Sequence, residues 1–184
     1  MTNLSLSKNP TAAEAAATAR DAYRAAARTH DGWGILMQRK IGFAGSGRRH
    51  SFSDDAERAF QEASDARAGA LGLADAAVRL ARGAETDEAG RMTVGALIEL
   101  AVPCGAAARA YAAGAEGCRR ILAMPRSGAG KVYRGLLARA AERDEEAALA
   151  FAELCTALAE AAGRRAREEA MAGFRGEAGW HDGD

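Results

Sequence analysis

His30, Tyr111 and Asp144 carry an imidazole, a phenol and a carboxylate, the groups from which acid–base chemistry or a polar ligand pocket is built. Their spacing gives them a common depth if the chain forms a helical bundle. His30 is thirteen residues before Phe43, Tyr111 thirteen before Met124 and Asp144 thirteen after Lys131. At about 1.5 Å of rise per residue, all three then lie roughly 20 Å below one end of the molecule. On the remaining helix the residue at that depth is Ala66, too small to fill the space opposite. The expected core layer is therefore His30, Tyr111 and Asp144, with the carboxylate bonded to the imidazole or the phenol. Such a layer could bind a small polar molecule or move a proton. It could equally be a satisfied polar layer that fixes helix register at a cost in stability. Asp144 also belongs to the charged run Glu142 to Glu146, which a half-turn rotation would carry into solvent.

A second constellation is electrostatic. Gly32 to Ser53 and Gly117 to Ala141 contain no Asp or Glu, yet hold ten of the twenty-five basic residues. Each stretch spans a turn between helices, and in an up-down bundle the two turns share an end. Arg39, Lys40, Arg48 and Arg49 from one turn and Arg119, Arg120, Arg126, Lys131 and Arg134 from the other would form a basic pole. Lys and Arg near helix C-termini also complement the helix dipole, an ordinary stabilising role. As a surface, the pole suits an acidic protein or another anionic partner. Nucleic acid is less favoured, because no aromatic residues are interleaved to stack on bases and the chain has zero net charge.

Other motifs lack their structural setting. Ser127-Gly-Ala-Gly-Lys131 has the glycines of a phosphate loop, but Pro125 stands where the first glycine is needed, Val132 follows the lysine, and no strand precedes it. No Glu-x-x-His pair of a di-iron bundle occurs. The scattered histidines and heptad-placed Cys104, Cys118 and Cys155 do not make a zinc site. No metal and no cofactor is expected. His30-Asp-Gly-Trp-Gly34 resembles the helix segment of histidine phosphotransfer bundles, in which a glycine four residues after the phosphoaccepting His lets the partner approach. The match covers five residues. Trp33 replaces the lysine of that pattern, and a phosphoacceptor must face solvent, whereas the apolar stripe puts His30 in the core.

The elements that position these groups follow from composition and period. Ala is abundant while Pro, aromatic and β-branched residues are scarce, which favours helix over strand. The first helix is expected over 11–43, with Ala16, Ala19, Tyr23, Ala26, His30, Trp33 and Met37 on its stripe. Ser53 followed by two aspartates caps a second helix that continues to Gly83. Its stripe reads Phe52, Ala56, Ala59, Ala63, Ala66, Ala70, Leu73, Ala77 and Leu80. The third helix, 93–124, presents Leu97, Leu100, Cys104, Ala107, Tyr111, Gly114, Cys118 and Ile121, with a kink or short break near Leu100 caused by Pro103. The fourth, 131–172, presents Tyr133, Leu137, Ala140, Asp144, Ala147, Phe151, Leu154, Leu158 and Ala161. Steps of three and four throughout mark bundle seams, and short links favour antiparallel neighbours.

The reading is all-α: an antiparallel up-down-up-down four-helix bundle of long Ala-rich helices over 11–172, a flexible N-terminus at 1–10 and a mobile tail at 173–184. Three cysteines without a CxxC pair fit a reducing compartment. No secretory signal or apolar run of membrane-spanning length is evident, so the expected location is cytoplasmic. The expected function is a non-catalytic binding or assembly protein that shows its basic pole to an acidic partner and can form a homo-oligomer. The alternative is a small-molecule sensor or enzyme using the polar layer.

Overall fold

The computed structural model describes residues 6–45, 52–125 and 127–178, with side chains described except at 40–45 and 175–178. Among these the chain is almost wholly helical: α1 (Ala12–Gly45), α2 (Asp54–Ala68), α3 (Ala70–Arg82), α4 (Val94–Ala123) and α5 (Lys131–Ala178). β pairing among the described residues is limited to two isolated bridges, Thr11 with Arg91 and Thr86 with Met92. Arg48, Arg49 and Arg126 lie outside the described residues.

The sequence sets the helix ends through hydroxyl caps. Ser53 and Thr93 are extended, and each side chain accepts the backbone N–H three residues on, from Ala56 and Ala96. This satisfies an orphan amide, while Asp54, Asp55 and Glu57 complement the positive end of α2. The second helix expected from sequence is two segments, because Gly69 interrupts it. Gly69 stays near helical geometry (φ −88°, ψ −6°), and the Leu73 N–H still reaches its carbonyl at 3.1 Å. The interruption is a single residue. No break occurs near Leu100, since α4 is helical through the buried Pro103. By length and mean hydropathy α4 would also pass for a membrane span, a point the sequence reading missed. Its buried residues form part of the core.

The helices close a ring. α1 packs on α3 and α5, and α4 packs on α5, α2 and α3. At one end the Ser53 N–H donates to the Ser127 carbonyl at 3.1 Å, Phe52 meets Tyr133 edge to face at 5.2 Å, and Tyr133 Oη donates to the Leu36 carbonyl at 3.3 Å. At the other end the Met92 N–H donates to the Pro10 carbonyl at 3.1 Å, and Arg164 Nη2 donates to the Lys8 carbonyl at 3.2 Å. Arg165 pairs there with Asp87. Residues 6–10, expected to be flexible, are thus tied to the body, and α5 continues past Gly173, where the tail was expected to begin.

Two clusters make the core. One, towards the Ser53–Ser127 end, contains Trp33, Leu36, Phe60, Ile121, Tyr133 and Leu137. The larger one, towards the Pro10–Met92 end, is mostly alanine, with Leu97, Leu100, Phe151, Leu154 and Leu158. Helices lined by small side chains approach closely. The extreme case is Gly117, where an added Cβ would stand 2.3 Å from Ala63 Cβ, so α2 and α4 meet with no room for a side chain between them.

Candidate functional site: a buried polar layer and a basic turn surface

Between the two clusters lies a polar layer centred on Asp144, which is fully buried. α5 delivers it through the seam Leu137, Ala140, Asp144, Ala147 and Phe151, all buried. Thr29 Oγ1 donates to Asp144 Oδ1, and Trp33 Nε1 donates to Oδ2 at 2.8 Å. Arg67, near the end of α2, sends Nη2 to Thr29 Oγ1 at 2.6 Å and to Asp144 Oδ1 at 3.3 Å. Its guanidinium also sits 4.6 Å from the Trp33 ring centre and 5.9 Å from that of Tyr111, within cation–π range. On α4, Gly114 admits the carboxylate, since a Cβ there would stand 2.5 Å from Asp144 Oδ2.

Tyr111 and Asp144 share this layer, as their seam positions predict, but His30 and Ala66 do not. His30 is exposed and Thr29 is buried in its place; Ala66 is exposed and Arg67 is buried in its place. The physical reason is the same on both helices. A period of 3.6 residues permits a step of three or four at each turn, and packing takes the shorter step from Ala26 to Thr29 and the longer from Ala63 to Arg67. The imidazole and the small apolar residue are more familiar bundle-layer choices than a buried guanidinium, yet here the Arg carries the positive charge that Asp144 requires. His30 instead has the solvent exposure that phosphotransfer would need, with open space at Gly34 one turn on.

Burial dominates the electrostatics of the layer. It raises the Asp144 carboxyl above its ordinary value and lowers the Arg67 guanidinium, each opposed by the attraction of the other. Burial also pushes the Tyr111 phenol up to about 12 and the Cys118 thiol up to about 12. Both oxygens of Asp144 already accept hydrogen bonds. The side-chain Nε of Arg67 and Oη of Tyr111 are buried and make no hydrogen bond among the described residues. As arranged, the layer binds its own members, and its carboxylate is committed to holding three helices together.

The basic turn surface is less uniform than its sequence. Arg119 pairs with Glu145, and Arg120 pairs with Glu62 at 2.7 Å. Arg134 donates to the Leu122 carbonyl at 2.6 Å and to Ser127 Oγ at 3.5 Å, tying the start of α5 to the end of α4. Sequence reasoning missed these roles because Glu62 and Glu145 lie outside the acid-free stretches. Arg39 and Lys131 are exposed. Lys40 lies in α1 with its side chain outside those described. The turn itself needs a glycine at Gly128, whose φ of +76° is in the left-handed region. Among the described residues no group of three His, Cys, Asp or Glu side chains is placed to hold a metal ion.

Comparison with protein-family models, curated proteins and solved structures returns no match.

Proposed function

We propose that this chain is a non-catalytic binding or assembly protein of the cytoplasm, an antiparallel up-down-up-down bundle bent at Pro103, that presents a basic end to an acidic protein surface. The observation that carries the reading is the contact between Ser53 and Ser127. It brings the two acid-free stretches together, so their charges act on one partner rather than on two. Arg119, Arg120 and Arg134 are engaged with the protein's own groups, whereas Arg39 and Lys131 are exposed; the proposed surface takes these two together with Lys40, Arg48, Arg49 and Arg126, whose side chains lie outside those described. Three unpaired cysteines support the cytoplasmic assignment. The test is anisotropy of labelled polyglutamate titrated with wild type and with Arg48→Ala/Arg49→Ala/Arg126→Ala. Wild type should bind, with an affinity that falls as salt rises, and the triple variant should lose at least about tenfold, roughly 1.4 kcal/mol. Equal binding by both proteins would remove the basic end as the contact surface.

A second reading, a small-molecule sensor or enzyme built on the polar layer, draws on one observation: Tyr111 Oη and Arg67 Nε are buried without a hydrogen-bond partner among the described residues. Such groups call for an explanation. His30, the imidazole expected in that layer, is exposed and not among them.

A further inference from the structure

The last buried residue among those of α5 with described side chains is Arg165, and the helix continues to Ala178. From Ala166 to Phe174 every residue is exposed, with Phe174 at 76% and Met171 at 57%. A free helix of this length is marginal in water, and this one is amphipathic. Steps of four and three put Arg167, Met171 and Phe174 on one face, with Ala170 at its edge. Glu169 lies on the opposite face, where it pairs with Arg165 at 3.2 Å.

At the same end of the molecule, α3 and the start of α4 enclose a groove of about 630 Å³. Ala76, Leu80, Gly83 and Ala96 give its lining a small, apolar part. Two acids, Glu85 and Glu99, line it, and its one base, Arg79, is paired with Asp75 at 2.8 Å. The overhang carries Glu168 and Glu169 as well as Arg167, but the face that presents Met171 and Phe174 holds only the base, and the groove it is matched to is apolar with two acids. We propose that the α5 overhang of one molecule docks in the α3–α4 groove of a second copy, Met171 and Phe174 entering the groove and Arg167 meeting Glu85 and Glu99, to give a two-fold dimer.

Closure follows from position. Overhang and groove flank the same end, where Arg165 pairs with Asp87 and the Thr93 N–H donates to the Glu85 carbonyl at 3.0 Å. Two molecules brought end to end can therefore exchange overhangs reciprocally, satisfying both contacts, whereas a one-way contact would leave a free end and propagate. The proposal is independent of the basic end, which lies at the opposite extreme of the chain's helices.

Sedimentation velocity on the full chain, from low to high micromolar, tests it. Wild type should dimerise. Phe174→Asp removes the knob and should raise the dissociation constant at least about 30-fold, the effect of losing one central anchor. Gly95→Phe projects into the groove it lines and should do the same; a Cβ at Gly95 meets nothing nearer than Thr93 Oγ1 at 4.0 Å, so the side chain leaves the helix without a clash, and unchanged thermal unfolding of this variant is checked beside its dimerisation. An equimolar mixture of the two variants should dimerise more tightly than either variant alone but less tightly than wild type, because one intact overhang meets one intact groove while the reciprocal contact stays broken. Reversal of Glu99→Arg should weaken dimerisation and addition of Arg167→Glu should restore part of it. A wild-type chain that stays monomeric throughout, as it would if the overhang served a different protein, overturns the proposal. So does a dimer indifferent to both Phe174→Asp and Gly95→Phe.

Discussion

The core on one side of the Asp144 layer is built differently from the core on the other. Towards the Ser53–Ser127 end, rings do the filling: Trp33 stands 5.3 Å from Phe60, Phe60 5.9 Å from Phe52, and Phe52 5.2 Å from Tyr133. Towards the Pro10–Met92 end, alanines from α1, α3 and α5 face one another, and larger side chains come mainly from α4 and α5. A ring-filled half concentrates its stability in a few large side chains. An alanine-filled half spreads it over many small contacts between closely spaced helices, where there is little volume to lose and little room to add. The polar layer sits where one mode gives way to the other, and Arg67 bridges them by lying against Trp33 of one cluster and Tyr111 of the other.

The largest expected effect comes from breaking that junction. Asp144→Ala leaves Arg67 buried without its counter-charge and should cost about 3–5 kcal/mol in urea unfolding. Arg67→Leu together with Asp144→Leu removes both charges and should recover most of the loss, since apolar replacement of a buried ion pair is often neutral or better. If the double variant is as unstable as Asp144→Ala, the layer holds the two halves in register by more than charge balance, and the contrast between the halves depends on it.

Next in size, the two halves should respond oppositely to volume. Phe60→Ala, in the ring-filled half, should cost about 3 kcal/mol. Ala77→Leu, in the alanine-filled half, adds volume at a fully buried position of α3 and should cost about 1–3 kcal/mol by overpacking. Paired urea unfolding of the two variants and wild type decides it. A stabilising Ala77→Leu would mean that the alanine-rich half is loosely packed.

How much of this was legible in the sequence varied with the helix. The seams of α4 and α5 were read residue by residue: Leu97 to Ile121 and Tyr133 to Ala161 are all buried at the predicted positions. Those helices carry Leu, Tyr, Phe and Cys on one stripe, so the period has a single phase. On α1 and α2 alanine occupies both candidate stripes, and hydrophobicity does not choose between Thr29 and His30 or between Ala66 and Arg67. The missing information was pairwise: a buried Asp144 needs a cation, and Arg67 is the base one helical step from the predicted depth. Gly69 was legible as a residue but not as an interruption, because its backbone departs little from helix. The neutralising partners Glu62 and Glu145 were invisible to a search for acid-free stretches, since they reach the arginines from neighbouring turns and helices.

The smallest effect distinguishes the layer from the clasp at the Pro10–Met92 end, and it is read in acid. Asp87 accepts from the backbone N–H of Ala89 and Arg91 at 2.9 Å each, and it pairs with Arg91 and Arg165. The Arg165 hydrogen bond, followed by the backbone N–H of Arg91, holds its carboxyl well below the usual range. Its folded value is therefore depressed. The stability it contributes is present above the unfolded value of about 3.9 and is lost as pH falls through the folded value. Asp144 has the opposite sign, because burial raises its carboxyl, so its contribution weakens as pH rises from the unfolded value towards the folded one. Asp87→Asn should thus lower the thermal midpoint at neutral pH and flatten its decline below about pH 4. Asp144→Asn should leave the acid decline in place or steepen it, whatever it costs at neutral pH. A wild-type acid slope retained by Asp87→Asn would move the acid-sensitive contact away from the clasp, and Glu14, held low by the Thr11 backbone N–H, is the next carboxylate to test.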